Sequence, residues 1–466
     1  MTFPGLATLL FLGLASAFTV YVVSQKREPS VTLSWILAFF FLPYLGMIFF
    51  LLVGYRRYRR RRSAKPAMFH PERDDSERQP TIIDSEFAEL EKIAAHYTGF
   101  PPSIGNRISL YQEASDTDAA LMRAIQNADH HVHLEYYIFE PDEKGALYAG
   151  LLREAALRGV ECRLLADAIG SFRLGERWLK PLRDAGVHIS FFQPLRIHSP
   201  WGFHLRNHRK LAVIDGRAAF MGSQNIANDV TSWRRRLMSW RETNVQIEGP
   251  AVDYLQTVFI EDWAFSSGKH LSDPSYFPAK KAAGAARVQF IPTSPDTRDN
   301  VLQTLFVTAL YAAHERITLT TPYFIPTPAV VLALQSAARR GVDVEILLPR
   351  LSDQPITLYA GRSWYRELAE SGVKIYENSQ RFIHAKVVTI DQKAALVGSA
   401  NMDNRSFLIN FESSLLIYDA AAAKDLIRGF EESAAQSKRI QPEALRRQPF
   451  ARSLLEGAAR IVSPLL

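Results

Sequence analysis

Two uncharged stretches open the chain, Met1 to Gln25 and Pro29 to Tyr55, with only Lys26, Arg27 and Glu28 between them. About 20 apolar residues span the hydrocarbon core of a bilayer as a helix, so the pair reads as a transmembrane helical hairpin, its second arm kinked at Pro43. The pattern then reverses: residues 56–65 carry Arg56, Arg57, Arg59, Arg60, Arg61, Arg62 and Lys65. Basic residues flanking a span stay on the cytoplasmic side, which places this cluster, everything after it and the N-terminus in the cytoplasm. Ala15-Ser16-Ala17 resembles a signal-peptide cleavage site, but no basic segment precedes the apolar stretch and a second one follows. Residues 1–62 thus form the membrane segment, and the polar, proline-containing residues 63–85 form a linker.

From residue 86 onward short apolar runs alternate with helix-like stretches, the signature of α/β halves. The runs Leu211–Ile214 and Val387–Ile390 are apolar or β-branched, end in turn-like Asp215-Gly216 and Asp391-Gln392, and read as buried strands. Their surroundings are the same. His208, Lys210, Asp215, Gly222, Ser223 and Asn225 recur at identical offsets as His384, Lys386, Asp391, Gly398, Ser399 and Asn401, 176 positions later. The repeat extends upstream: Arg158-Gly159-Val160 parallels Arg340-Gly341-Val342, Ala185-Gly186-Val187 parallels Ser371-Gly372-Val373, and Val132–Glu135 aligns with Ile317–Thr320. Two halves are therefore expected, 86–275 and 286–466, divided where Gly268, Pro274 and Pro278 interrupt the pattern.

Side chains at i and i+2 of a strand share a face, so each histidine would project with its lysine into one pocket. Two lysines neutralise a phosphodiester, one imidazole attacks phosphorus and the other protonates the leaving alkoxide. That division of labour needs both halves. Glu242 and Glu412 lie 34 and 28 residues after their histidines and each opens a strand-like stretch. A carboxylate on an imidazole fixes its tautomer and stabilises the imidazolium, so these two are the expected histidine-orienting residues. Ser223, Asn225, Ser399 and Asn401 are expected at the phosphate, where a small residue after glycine lets backbone N–H groups approach. Asp215 and Asp391 belong to the catalytic motif, but their place beyond the strand suits them to holding the turn.

Charge narrows the substrate. The net charge is +7, and the six arginines and one lysine of residues 56–65 account for all of it. A nucleic-acid binder spreads basic charge over its binding face; here it is concentrated where anionic lipid headgroups would lie, and no nucleic-acid partner is expected. The single cysteine, Cys162, excludes an intramolecular disulfide and leaves a cysteine-based metal cluster without support.

With these motifs the chain resembles the phospholipase D superfamily and, within it, the bacterial cardiolipin synthases. The closer likeness rests on Glu135–Phe139, Ala168–Ser171, Gly222–Ala227, Thr321–Pro326 and Gly398–Ser406. Family members often carry a second glycine where Ser223 stands and an aspartate where Glu242 stands. The resemblance implies a duplicated phospholipase D-like fold, two mixed-sheet halves with pseudo-twofold symmetry, and no metal or cofactor. It implies transfer of a phosphatidyl group from one phosphatidylglycerol to another through a phosphatidyl-histidine, at the bacterial inner membrane, giving cardiolipin and glycerol. His208 is the expected nucleophile and His384 the acid/base. Phospholipase D activity on water or another alcohol is the alternative acceptor chemistry, and a scaffold without turnover should have lost one of the paired histidines or lysines.

Two segments bear on membranes. Trp233–Arg241 mixes tryptophans with cations and suits either lipid headgroups or a solvated turn. The C-terminal Phe450–Leu466 has apolar residues at helical spacing and suits either the bilayer surface or docking on the protein.

Overall fold

A computed structural model describes residues 3–25, 29–42, 44–51, 86–193, 205–228, 239–295 and 300–463. The arginine cluster, the linker, Pro43 and the segment Trp233–Met238 lie outside them. The chain divides into two compact units, one carrying the N-terminal helices and one carrying residues 86–193 and 206–463.

The N-terminal unit consists of helices Phe3–Ser24, Pro29–Phe41 and Leu45–Phe49. Their inner faces meet through aromatic rings: Phe50 lies 5.8 Å from Phe18, 5.0 Å from Trp35 and 5.3 Å from Phe39. Apolar residues also cover the outside, including Leu10, Val20, Leu33, Phe41 and Leu45. A helix that is apolar all round has no water-facing side. The second uncharged stretch does not run as one helix. It stops at Phe41 and resumes at Leu45, with Tyr44 at φ 60° between. Among the described residues no helix is long and apolar enough to cross a membrane, where the sequence predicts a pair of spans.

The larger unit is built, among the described residues, on seventeen strands. The first half supplies β1 (Ser103–Tyr111), β2 (His131–Tyr136), β3 (Glu161–Asp167), β4 (His188–Phe192), β5 (Lys210–Ile214), β6 (Ala218–Gly222), β7 (Trp240–Arg241) and β8 (Asn244–Glu248). The second supplies β9 (Ala286–Thr293), β10 (Arg316–Thr320), β11 (Asp343–Pro349), β12 (Lys374–Asn378), β13 (Phe382–Ile383), β14 (Val387–Ile390), β15 (Ala394–Gly398), β16 (Glu412–Tyr418) and β17 (Ser437–Arg439). Fifteen form one mixed sheet in the order β17-β12-β11-β10-β14-β15-β16-β9-β1-β8-β6-β5-β2-β3-β4, while β7 and β13 pair separately. Strands β4-β3-β2-β5-β6-β8-β1 and β12-β11-β10-β14-β15-β16-β9 follow the same order, and the antiparallel pair β1–β9 joins them.

Helices on both faces explain why β2, β14 and β15 are buried at every position. The repeated glycines end the crossover helices: Gly159, Gly186, Gly341 and Gly372 all have φ between 92° and 100°, a left-handed conformation that starts each following strand. Each half has its own core, one around Leu134, Leu152, Leu164 and Ile214, the other around Leu305, Leu319, Leu334 and Ile346.

Candidate active site

Each histidine sits just before a sheet strand, on a segment that pairs with the opposite half. Asn207 bridges Phe411, and the His208 N–H donates to the Phe411 carbonyl at 2.8 Å. In the same way β13 pairs parallel to β7, with Ile383 opposite Arg241, and the His384 N–H donates to the Arg241 carbonyl at 2.9 Å. One residue further along each partner segment stands a glutamate. The orienting pairs are therefore crossed: His208 Nδ1 lies 3.0 Å from both Glu412 oxygens, and His384 Nδ1 lies 2.7 and 3.0 Å from those of Glu242. The sequence singled out both glutamates, but each serves the histidine of the other half.

Glu113 clamps the second crossing, accepting from Arg381 at 2.7 and 2.6 Å and from Arg241 at 3.0 Å. Hydrogen bonding from Arg381, with the charges of Arg381 and Arg241, holds its carboxyl below the usual range against partial burial.

The lysines complete the centre. Lys210 Nζ donates to the His208 carbonyl at 2.7 Å and Lys386 Nζ to that of His384 at 2.5 Å, so each lysine turns back on its own motif. Burial is the main cause of the low pKa of both; Lys386 falls to about 8, and both glutamates oppose the fall at each lysine. Burial likewise lowers His384, and lowers His208 to about 4, with the lysine charges adding and the glutamates opposing. Burial pushes Glu412 up, but His208, Lys210 and the Ser399 hydroxyl more than reverse it, to about 2. Glu242 is lowered by the corresponding set of His384, Lys386 and Ser223.

An ionised carboxylate only accepts hydrogen bonds, so each contacting Nδ1 carries the proton. The neutral imidazoles then keep Nε2 as a lone pair: one ring is ready to attack, and the other can gain a proton when an anion arrives.

The serines support the glutamates. Ser223 Oγ donates to Glu242 and Ser399 Oγ to Glu412, and each hydroxyl also accepts a backbone N–H, from Thr243 at 2.9 Å and Ser413 at 3.0 Å. The preceding glycines make this approach possible: a Cβ at Gly222 would sit 2.5 Å from the Thr243 oxygen, and one at Gly398 2.4 Å from that of Ser413. Each hydroxyl is thus engaged by its glutamate and a backbone N–H. Asn225 Oδ1 accepts the Ile138 N–H at 3.2 Å, whereas Asn401 Oδ1 is buried with no hydrogen-bond partner among the described residues.

Asp215 and Asp391 are not brought to the histidines, which corrects their placement among the catalytic groups. Asp215 accepts the N–H groups of Asp129, His130 and His131 at 2.8–3.0 Å, and Asp391 those of His314, Glu315 and Arg316 at 2.7–2.9 Å. Both have φ near 50° in the turn after their strand. A short acceptor in a left-handed turn reaches three adjacent donors, so the motif aspartates fix where β2 and β10 begin.

Repetition overlooked residues that occur in one half only. Arg209, between His208 and Lys210, forms a buried ion pair with Asp262 and donates to the carbonyls of Glu412 at 3.1 Å and Thr293 at 3.2 Å. Its counterpart is Ala385. Around the rings, Tyr137 lies 4.9 Å from His208 and Trp240 4.6 Å from His384. A basic residue between two others had no distinguishing sequence signal; the aromatic neighbours could be found only once the strands were aligned.

The family model described as "Cardiolipin synthase, PLD-like domain" matches residues 121–263 and 306–434, and that described as "Phospholipase_D-nuclease N-terminal" matches 13–54. The cardiolipin synthase of Geobacillus sp. (strain WCH70) is 35% identical, covering 98% of this chain and 93% of the relative. Cardiolipin synthase 2 of Bacillus cereus is 32% identical, with 97% and 90% covered. The crystal structure of phosphatidylserine synthase from Haemophilus influenzae Rd KW20 shares the fold at a TM-score of 0.59 and 14% identity, covering 81% of this chain and 100% of that one.

Proposed function

Because the chain belongs to the cardiolipin synthase family with its phospholipase D-like domain, we propose that it joins two phosphatidylglycerol molecules into cardiolipin, releasing glycerol. It is a phosphatidyltransferase, and the observation that carries the mechanism is the crossed pairing of His208 with Glu412 and His384 with Glu242.

Lys210 and Lys386 receive the phosphodiester anion, with Asn225 and Asn401 near its path. The anion offsets the lysine charges that depress the histidines, so His384 takes up a proton that Glu242 stabilises. His208 Nε2 attacks phosphorus, the bond from phosphorus to the glycerol oxygen breaks, and His384 gives its proton to departing glycerol. The second phosphatidylglycerol then loses a hydroxyl proton to His384, its oxygen attacks the phosphatidyl-histidine, and the phosphorus–nitrogen bond breaks. When cardiolipin leaves, His384 releases to solvent the proton equivalent it took up on phosphate binding, and both histidines are again neutral.

Residues 86–275 and 286–466 act as two halves about an approximate twofold axis, which the shared strand order supports. The N-terminal unit holds the enzyme in the bacterial inner membrane as a hairpin with its catalytic part cytoplasmic. Its uncharged sequence and apolar outer surface support that placement. The test is to wash membranes containing the chain in alkaline carbonate, extract it with detergent and incubate it with phosphatidylglycerol alone. Retention through the wash and equimolar cardiolipin and glycerol are expected; phosphatidic acid as sole product would make it a hydrolase, and loss in the wash would remove the hairpin.

The pH profile should be bell-shaped. Lys386 is charged below about 8 and loses its proton above it, while His208 is neutral above about 4 and protonated below it. Since kcat/KM reports the free enzyme, its alkaline limb should fall through pH 8 and move upward in a folded Lys386→Arg variant. An unchanged kcat/KM from pH 7 to 9.5 would rule out a charged Lys386 at the phosphate.

A further inference from the structure

The C-terminal helix Phe450–Val462 is docked the opposite way from an ordinary amphipathic helix. The side facing the protein carries Glu456, 5% exposed and bonded within its own segment to Gln448 and Arg452 at 2.9 Å each, Ala459, packed with Ile325 and Ala360, and Arg460, which donates to Glu367 at 2.9 Å and lies 3.5 Å over the Trp364 ring. The apolar side faces outward, with Phe450 82%, Leu454 61%, Leu455 56% and Ile461 78% exposed. At 3.6 residues per turn these four share one arc of about 140°. The adjoining helix Pro355–Arg362 and the loop before it expose Ile356 and Leu351 as well.

Burying the apolar arc against the protein would be the ordinary solution, since apolar surface is driven out of water. Here the Arg460–Glu367 ion pair, the Arg460–Trp364 contact and Ala459 packed with Ile325 and Ala360 hold the other side against the protein, leaving the arc outward. Four apolar side chains on one short helix form a contiguous patch of the kind that marks a lipid or protein contact. Charge selects between these: residues 436–463 carry Lys438, Arg439, Arg446, Arg447, Arg452 and Arg460 against Glu443 and Glu456, and although Arg446, Arg452 and Arg460 pair with Glu370, Glu456 and Glu367, the segment keeps a positive excess. A basic C-terminal segment that carries an apolar arc fits an anionic bilayer surface.

The helix is also tied to the catalytic centre. Asn404 Nδ2 donates to the Ser463 carbonyl at 3.2 Å, and Asn404 follows Asp403, whose charge acts on Lys386.

We infer that the outward face of helix Phe450–Val462 is an interfacial contact that rests on anionic lipid and sets the lysine–histidine centre against the bilayer surface. The inference draws on the proposed function only for the lipid nature of the partner. It gives the second half a membrane contact of its own, so that substrate leaving the bilayer meets the site without crossing open water.

The buried Cys162 is the only cysteine, which permits labelling at an introduced one. The full chain carrying Leu455→Cys with an environment-sensitive fluorophore would be reconstituted in vesicles of phosphatidylglycerol and phosphatidylcholine; Leu157→Cys, at a 64% exposed position in the first half, serves as the control. Spin-labelled lipid should quench the probe at 455 and not at 157. A probe at 455 quenched only by aqueous iodide would overturn the inference, as would cross-linking between copies of the Leu455→Cys chain through the introduced thiol without lipid quenching. As a second arm, Leu454→Glu with Leu455→Glu should raise the apparent KM for vesicle phosphatidylglycerol about tenfold and leave turnover of dispersed short-chain phosphatidylglycerol unchanged. Equal losses on both substrates would count against it. Absence of any turnover by the unsubstituted chain would instead remove the proposed function while leaving the quenching result standing.

Discussion

His208→Ala is expected to lower cardiolipin formation on the order of 10⁴-fold or more, the scale on which removing a catalytic nucleophile acts. The loss should be in kcat, because Lys210 and Lys386 still receive the phosphate. His384→Ala should differ in kind. The proposed nucleophile His208 is intact and still held by Glu412 at 3.0 Å, so attack should remain possible, while departing glycerol would lack its proposed proton donor and the second alcohol its base. With a substrate whose leaving group needs no protonation, the His384→Ala protein should accumulate a phosphatidyl adduct, which acid-free digestion and mass spectrometry would map to His208. An adduct on His384 in the His208→Ala protein would reverse the assignment, and near-normal cardiolipin formation by either variant would end the two-histidine mechanism.

Glutamine in place of either orienting glutamate should cost on the order of 10²- to 10⁴-fold, with consequences that cross between the halves. Glutamine can still accept the Nδ1 proton and keep the tautomer, but it cannot stabilise a cationic ring. In Glu412→Gln the affected ring is His208, so adduct formation should be the slowed step. In Glu242→Gln it is His384, so the variant should behave as a milder His384→Ala and accumulate adduct with the same activated substrate. Pairing within each half predicts the reverse assignment. Single-turnover measurement of adduct formation and decay in both variants distinguishes the two, and the Ser223 and Ser399 hydroxyls should be felt through the same steps because they donate to these carboxylates.

Alanine at position 209 would isolate one side of the centre. Arg209 reaches the Glu412 carbonyl and pairs with buried Asp262, and it has no counterpart at Ala385. Breaking a buried ion pair from one side leaves an uncompensated charge, typically worth about 3–5 kcal/mol. The two histidines thus have equivalent orienting glutamates but different outer support.

The sequence by itself determined the number of halves, the residue types at the centre and the chemistry they permit. Those follow from local rules: a strand puts His208 and Lys210 near one another, an apolar run reads as buried, and duplication at fixed offsets exposes what both halves share. The two uncharged N-terminal stretches were equally legible, although where the second helix breaks depends on backbone conformation around Tyr44. Only the tertiary structure decided which glutamate serves which histidine, because that follows from the bridge between Asn207 and Phe411 and the pairing of β7 with β13, contacts between segments far apart in the chain. It also supplied the partners of Asp215 and Asp391, whose place beyond the strand already suited them to holding the turn: three converging backbone N–H groups are a property of the folded chain that spacing does not encode. The docking of the C-terminal helix by its polar side was likewise invisible in one dimension: helical periodicity identifies two faces, but the partners Glu367 and Trp364 decide which of them turns outward.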